Sequence, residues 1–248
     1  SQKQEALQAY ENIIQKPKNE FTEKAILKAA NLNFENKTYE KALQEFCLLE
    51  QTAEISNHRL QALLGAMECY YLLGKFDSTI ITSNKILSLE KTDENISEKA
   101  SYYLAKSLLK NANSGQAIEE FKKLTSAKNT EYASEAQYTL AEIQYNNGNL
   151  EESEKIILEI TSNPSSEFWL AKAFILWADI FKERGNKIQA KQTLQSIIDN
   201  YEGDQSIIDE AQNKLNEINN KQSQEQKLQE QKLQEQKEAV DEIIIENK

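Results

Sequence analysis

With 248 residues and 39% hydrophobic content the chain can bury a sizeable core, as one or two domains. Its 6 Gly and 2 Pro suit helical hairpins and do not suit a fold built on tight β-turns. The net charge of −11, from 40 acidic and 29 basic residues, repels phosphate backbones and anionic membrane surfaces, which argues against a nucleic-acid partner.

In chain order, two ladders of small residues set the organisation. Ala25, Ala62, Ala100, Ala136, Ala173 and Ala211 are separated by 37, 38, 36, 37 and 38 residues. Ala6, Ala42, Thr79, Ala117, Ser153 and Ala190 follow at 36, 37, 38, 36 and 37. Small side chains inside helical patterns let helices approach closely, so each period reads as two packed helices and the chain as a stack of such units. Residues 4–16 place Ala6, Tyr10 and Ile13 on one helical face before Pro17. In register this is the second helix of a unit, so the expectation is a half repeat and a chain that starts in mid-unit.

Five hairpins are expected over about 20–202. Their turns fall at Asn36-Lys37-Thr38, Gly74-Lys75, Asn111 to Ser114, Asn147-Gly148-Asn149 and Gly185-Asn186. Short polar joints carry helix-start signals, among them Ser56-Asn57, Asp93 to Asn95, Asn129-Thr130 and Asn163-Pro164-Ser165-Ser166. Residues 206–220 keep one apolar stripe, Ala211, Leu215 and Ile218, with polar Asn216, and read as a capping helix. Residues 221–248 are a low-complexity tail, helical or disordered. Leu228 and Leu233 stand five apart and make no continuous seam, and Ile243-Ile244-Ile245 either stays disordered or orders on a partner.

The order of small, apolar, turn and aromatic residues in each unit resembles the tetratricopeptide repeat over roughly residues 5–202. The first small position is met by Ala30, Ala105, Ala141 and Ala178, with Met67 departing. Seven residues on, Gly74, Gly148 and Gly185 match, while Lys37 and Ala112 depart. The next small position holds Ala42, Ala117 and Ala190, with Thr79 and Ser153 as substitutes. The bulky position after it holds Phe46, Phe121, Ile157 and Leu194, with Ser83 in the second unit. The resemblance implies an all-α, right-handed α-solenoid of hairpins with a C-terminal capping helix and an extended Gln/Glu/Lys-rich tail. Spacing longer than the ~34 residues of the standard repeat is similar to the bacterial envelope branch, the outer-membrane assembly lipoproteins of the BamD kind and the Tol-Pal-associated proteins. The compartment implied is the periplasm or cell envelope, with the cytoplasm as the alternative.

Catalytic chemistry has little to build on. His58 is the only histidine and is read as a solvent-exposed helix-start residue; Cys47 and Cys69 read as free, buried thiols. No cofactor, metal or enzyme activity is expected, and no apolar run approaches the ~20 residues of a bilayer span. The resemblance instead places a binding groove on the first helices. Its faces would carry Leu27, Leu64, Tyr102, Tyr138 and Ile175, then Asn31, Glu68, Lys106, Glu142 and Asp179, then Phe34, Tyr71, Leu109, Tyr145 and Lys182. The candidate groove residues are Phe34, Glu68, Tyr71, Tyr102, Lys106, Tyr138, Glu142 and Tyr145, each equally a candidate for inter-repeat packing. Leu, Leu, Tyr, Tyr and Ile at the first of those sets argue against a carboxylate clamp. The expected function is a non-catalytic scaffold that holds a peptide or helix of another protein. The alternative is a structural subunit of an envelope assembly, with self-association through repeat edges and tail.

Overall fold

The computed structural model describes residues 2–90 and 92–246, with side chains described through residue 232. The expectation for Ile243-Ile244-Ile245 therefore lies outside the described side chains. Among the described residues there are twelve helices and no strand. The chain forms two compact units, Ser1–Ala136 and Gln137–Lys248. The first contains α1 (Gln2–Ile14), α2 (Thr22–Glu35), α3 (Tyr39–Thr52), α4 (Ser56–Leu72), α5 (Phe76–Leu87), α6 (Glu94–Lys110), α7 (Ser114–Leu124) and the start of α8 (Thr130–Asn146). The second contains the rest of α8, α9 (Leu150–Ser162), α10 (Glu167–Glu183), α11 (Lys187–Asn200) and α12 (Gln205–Glu246). The backbone shows no break at residue 220: α12 carries the expected cap and most of the tail as one helix.

The small-residue ladders are where helices meet. Ala62, Ala100, Ala173 and Ala211 on one ladder, and Ala42, Thr79, Ala117, Ser153 and Ala190 on the other, are fully buried. Where a hydroxyl replaces the alanine it is bonded: Ser153 donates to the Ala141 carbonyl at 2.8 Å and Thr79 to the Lys75 carbonyl at 3.2 Å. In the first unit α2 packs on α3 and α4, and α4 on α5 and α6, so first helices lie side by side. Phe46 and Leu49 of α3 fill one core with Ala62 and Ala66 of α4; each such buried large side chain stabilises by roughly 1.5–3 kcal/mol. In the second unit α10 packs on α9, α11 and α12, and Leu194, Ile207 and Leu215 fill the core.

One turn closes all five hairpins. Lys37, Gly74, Ala112, Gly148 and Gly185 have φ of 59°, 70°, 57°, 78° and 77°, the left-handed region. The next residue in each case sends its N–H back five residues, as Thr38 does to Asn33 at 2.9 Å and Lys75 to Tyr70 at 2.8 Å. The left-handed residue sends its own N–H back three, as Lys37 does to Phe34 at 2.9 Å. This is the Schellman closure, in which main-chain donors satisfy the last helical carbonyls. Lys37 and Ala112, departures by residue type, thus adopt the backbone the glycines adopt.

Two joints in the first unit are held by carboxylates. Glu23 on α2, only 7% exposed, accepts the Glu54 N–H at 2.7 Å and the Ile55 N–H at 3.4 Å. Glu98 on α6 accepts the Lys128 N–H at 2.6 Å and the Asn129 N–H at 3.1 Å. Each acid sits two residues before its ladder alanine and ties the chain entering the next hairpin.

Candidate functional site

The first unit presents an aromatic cluster on α4, α6 and the start of α8. The Tyr102 ring stacks on Tyr132 at 4.4 Å between centroids and meets Tyr103 edge-on at 5.5 Å. Tyr103 meets Tyr71 at 5.2 Å, and Tyr71 meets Phe76 at 5.8 Å. The Lys106 ammonium lies 4.7 Å from the Tyr102 centroid and 5.6 Å from that of Tyr71, a cation–π arrangement. The same ammonium donates to the Tyr102 hydroxyl at 2.8 Å and to Glu135 at 2.7 Å, while the Tyr102 hydroxyl donates to Glu135 at 2.6 Å. Glu68 accepts from Lys99 at 2.5 Å and from the Tyr103 hydroxyl at 3.4 Å. The rings are half-buried and locked by these partners, so they offer contact area with little entropy left to lose.

Phe34 stands apart from that cluster, edge-on to Tyr39 at 5.5 Å. It lines, with Phe46, Gly65 and Glu68, a cleft of about 200 Å³. The bulky Phe46 ring reaches this cleft because Gly65 has no side chain to stop it: a Cβ there would lie 2.3 Å from Phe46 Cζ.

In the second unit Tyr138 is only 7% exposed. Its ring packs against Trp169 at 5.2 Å, its hydroxyl donates to Glu142 at 2.9 Å, and the Lys172 ammonium lies 5.7 Å from its centroid. Tyr145 is half-buried against the same core. Lys172 is paired with Glu210 at 2.9 Å, and Asp179 with Lys214 at 2.7 Å.

Three expectations need correcting. Leu27, Tyr138 and Ile175, expected on the groove face, are 7%, 7% and 2% exposed and belong to the cores. His58 is half-buried, not solvent-exposed: its Nδ1 is 2.9 Å from Glu23 Oε2, which fixes the ring at the joint. Cys47 is only partly buried and its sulfur is 3.5 Å from the Tyr70 hydroxyl, while Cys69 is buried as expected. Tyr103, Tyr132, Lys99 and Glu135 were missed. Their partners lie one repeat away, 33 residues from Tyr102 to Glu135 and 35 from Tyr103 to Glu68. A comparison of charged and tyrosine positions at that offset is the signal that finds them.

Burial keeps several hydroxyls and one thiol of these units protonated. Burial first, then the Glu135 hydrogen bond, pushes the Tyr102 hydroxyl far above the usual tyrosine value; burial first, then the Glu68 charge, does the same to Tyr103. Burial also raises Tyr132 and Tyr138. Burial pushes the Cys69 thiol up to about 12, which makes it a poor nucleophile. The arrangement donates hydrogen bonds and offers ring faces, and Tyr102, Tyr103, Tyr132, Tyr138 and Cys69 hold their protons at neutral pH.

Residues 168–203, spanning α10 and α11, match the family model described as tetratricopeptide repeat. The chain has the tetratricopeptide-repeat fold. Its repeats align with solved structures at low identity. YrrB, described as a TPR protein with an unusual peptide-binding site, is 18% identical, with a TM-score of 0.54 over 82% of this chain and 97% of that one. A MamA RS-1 double mutant is 15% identical, with a TM-score of 0.57 over 71% and 93%. The Rap conjugation gene regulator of plasmid pLS20, solved with the Phr* peptide, is 14% identical, with a TM-score of 0.51 over 72% of this chain and 53% of its own. Among curated proteins, no sequence matches this chain. No helix among the described residues is long and apolar enough to cross a membrane.

Proposed function

We propose that the protein is a non-catalytic scaffold that holds a peptide or helix of another protein against its first helices. The observation that carries this reading is the cluster Tyr71, Tyr102, Tyr103 and Tyr132 with Lys106, a set of half-buried rings preorganised by Glu135 and Glu68. Tyrosine-rich surfaces of this kind combine large contact area with polar tips. Phe34 and the Phe46–Gly65 cleft extend the contact area within the first unit. Tyr145 and Glu142, over the buried Tyr138, are the corresponding face of the second unit. The peptide sites named for YrrB and Rap support the same kind of partner. Because Lys99 and Lys106 are each neutralised by an acid of the same unit, the face recognises its partner by ring contact and hydrogen bonds more than by a bare carboxylate.

The test is selection of peptides from a displayed library on the full chain, then titration calorimetry of a selected peptide against wild type and Tyr71→Ala/Tyr102→Ala. Loss of affinity of about tenfold or more, with an unchanged circular-dichroism spectrum, is expected for a pair of anchor rings. Equal affinity for the double variant overturns the proposal.

A further inference from the structure

The second unit carries another concave feature, lined by none of the residues of the proposed faces. Between α10 and α11 lies an open cleft of about 640 Å³. Its floor is apolar: Leu170, Ala171 and Phe174 come from α10, Ile197 from α11, and Tyr201 from the cap that follows it. Ala171 and Ile197 are 5% and 6% exposed, so they form the bottom and not the walls. The Phe174 ring is held by stacking on Trp177, at 6.1 Å and 16° between planes. Ala171 has only a methyl where Leu170 and Phe174 flank it, which keeps the floor low enough to admit a side chain.

Side-chain charge at the cleft is one-sided. No Lys, Arg or His lines it. Glu167 and Glu202 line it, both exposed and neither in an ion pair among the described residues. α11 ends at Asn200, two residues before Glu202, and brings the negative end of its dipole there, while Glu167 opens α10 and offsets that helix's positive end. An apolar floor with two free carboxylates and a helix C-terminus fits a cation attached to an apolar anchor.

We infer that this cleft is a second docking site, taking an amphipathic helix of a partner protein whose apolar anchor fills the floor and whose Lys or Arg meets Glu167 and Glu202. The charge separates this occupant from its competitors. A fatty acid would bring its carboxylate to the two glutamates, and a second copy of this chain, at −11, would bring like charge. A basic amphipathic segment gains from both the floor and the rim.

The experiment uses the full chain and fluorescein-labelled helical peptides of about four turns, read by fluorescence anisotropy at about 0.15 M salt, where long-range attraction is screened. One peptide carries a Leu/Phe stripe with Lys at one end; a second has each Lys replaced by Glu; a third has the same composition with the stripe scrambled. The first is expected to bind at least about tenfold more tightly than the other two, a difference of about 1.4 kcal/mol. Two variants interrogate the cleft separately: Ser196→Trp, an exposed position on its wall, fills it, and Glu167→Lys/Glu202→Lys reverses the rim. Each is expected to weaken the first peptide at least about tenfold, while Tyr71→Ala/Tyr102→Ala leaves it unchanged. Equal binding by the scrambled peptide reduces the effect to bulk charge and overturns the inference. So does unchanged affinity in both cleft variants, or a light-scattering mass that shows a dimer abolished by Ser196→Trp, since a second copy would then be the occupant.

Discussion

Gly65→Ala is the sharpest perturbation of the packing. Gly65 lies in the interior of α4, where an exposed glycine would gain about 1 kcal/mol on becoming alanine. Here the new Cβ would stand 2.3 Å from Phe46 Cζ and 2.5 Å from Cε1 and Cε2, so the ring meets it tip-first. Carbon contacts settle at about 3.5 Å, so the tip must retreat by about 1 Å. Phe46 is 2% exposed, and such a retreat displaces the core around Leu49 and Ala66. Overpacking of that kind costs roughly 1–3 kcal/mol. Set against the helix gain, the net loss is about 1 kcal/mol, a fall in Tm of roughly 2–4 °C for a chain of this size. Phe46→Leu removes the ring tip and should relieve the clash. In a double-mutant cycle by urea unfolding, Gly65→Ala is expected to cost less in the Phe46→Leu background by about 1 kcal/mol or more. A Gly65→Ala protein more stable than wild type, or additivity within about 0.5 kcal/mol, would refute the packing argument.

Other outcomes follow from the turns and joints. Lys37→Gly and Ala112→Gly place glycine where φ is 59° and 57°; each should raise stability by roughly 0.5–1 kcal/mol, measured by thermal melts, and Gly74→Ala should lower it by about 1 kcal/mol. The Glu54 N–H, with His58 and the Ile55 N–H assisting, holds the Glu23 carboxyl below its ordinary value of 4.5. A lowered folded-state pKa means this contribution is present above about pH 4.5 and is lost as pH falls through the folded value. Denaturant melts of Glu23→Gln and wild type should therefore differ at pH 7 and converge in acid; a constant difference across that range would reject the role. Ser83 Oγ is buried with no hydrogen-bond partner among the described residues, so Ser83→Ala should be neutral or stabilising by up to about 1 kcal/mol in the same assay.

The fold was legible because close approach of helices demands small residues at fixed intervals, and the buried alanines display that demand directly in the sequence. The turns were legible where glycine marks them and illegible at Lys37 and Ala112, since the closure is made by main-chain bonds and tolerates another side chain at modest cost. Met67 and Ser83 depart from the repeat in the same hairpin, a large residue for a small one and a small one for a large one. Both are fully buried, so each departure from the pattern is still a core position. Of the site, Tyr71, Tyr102 and Lys106 could be named from register, but their partners could not. Tyr132 and Glu135 act from the next repeat, and a search along single helices does not bring them together. His58 misled for a similar reason: Glu23, which fixes it, is 35 residues earlier. The α10–α11 cleft left no trace in the ladders, because Leu170, Ala171, Phe174 and Tyr201 fall at none of the ladder positions.

The main-chain closure of the hairpins has a consequence for how such a chain diversifies. A turn that satisfies itself asks almost nothing of the side chains around it, so the outward positions of each unit can change without endangering the scaffold. Repeat units can then differ in what they present, tyrosine rings on one and a low apolar floor edged with acid on another.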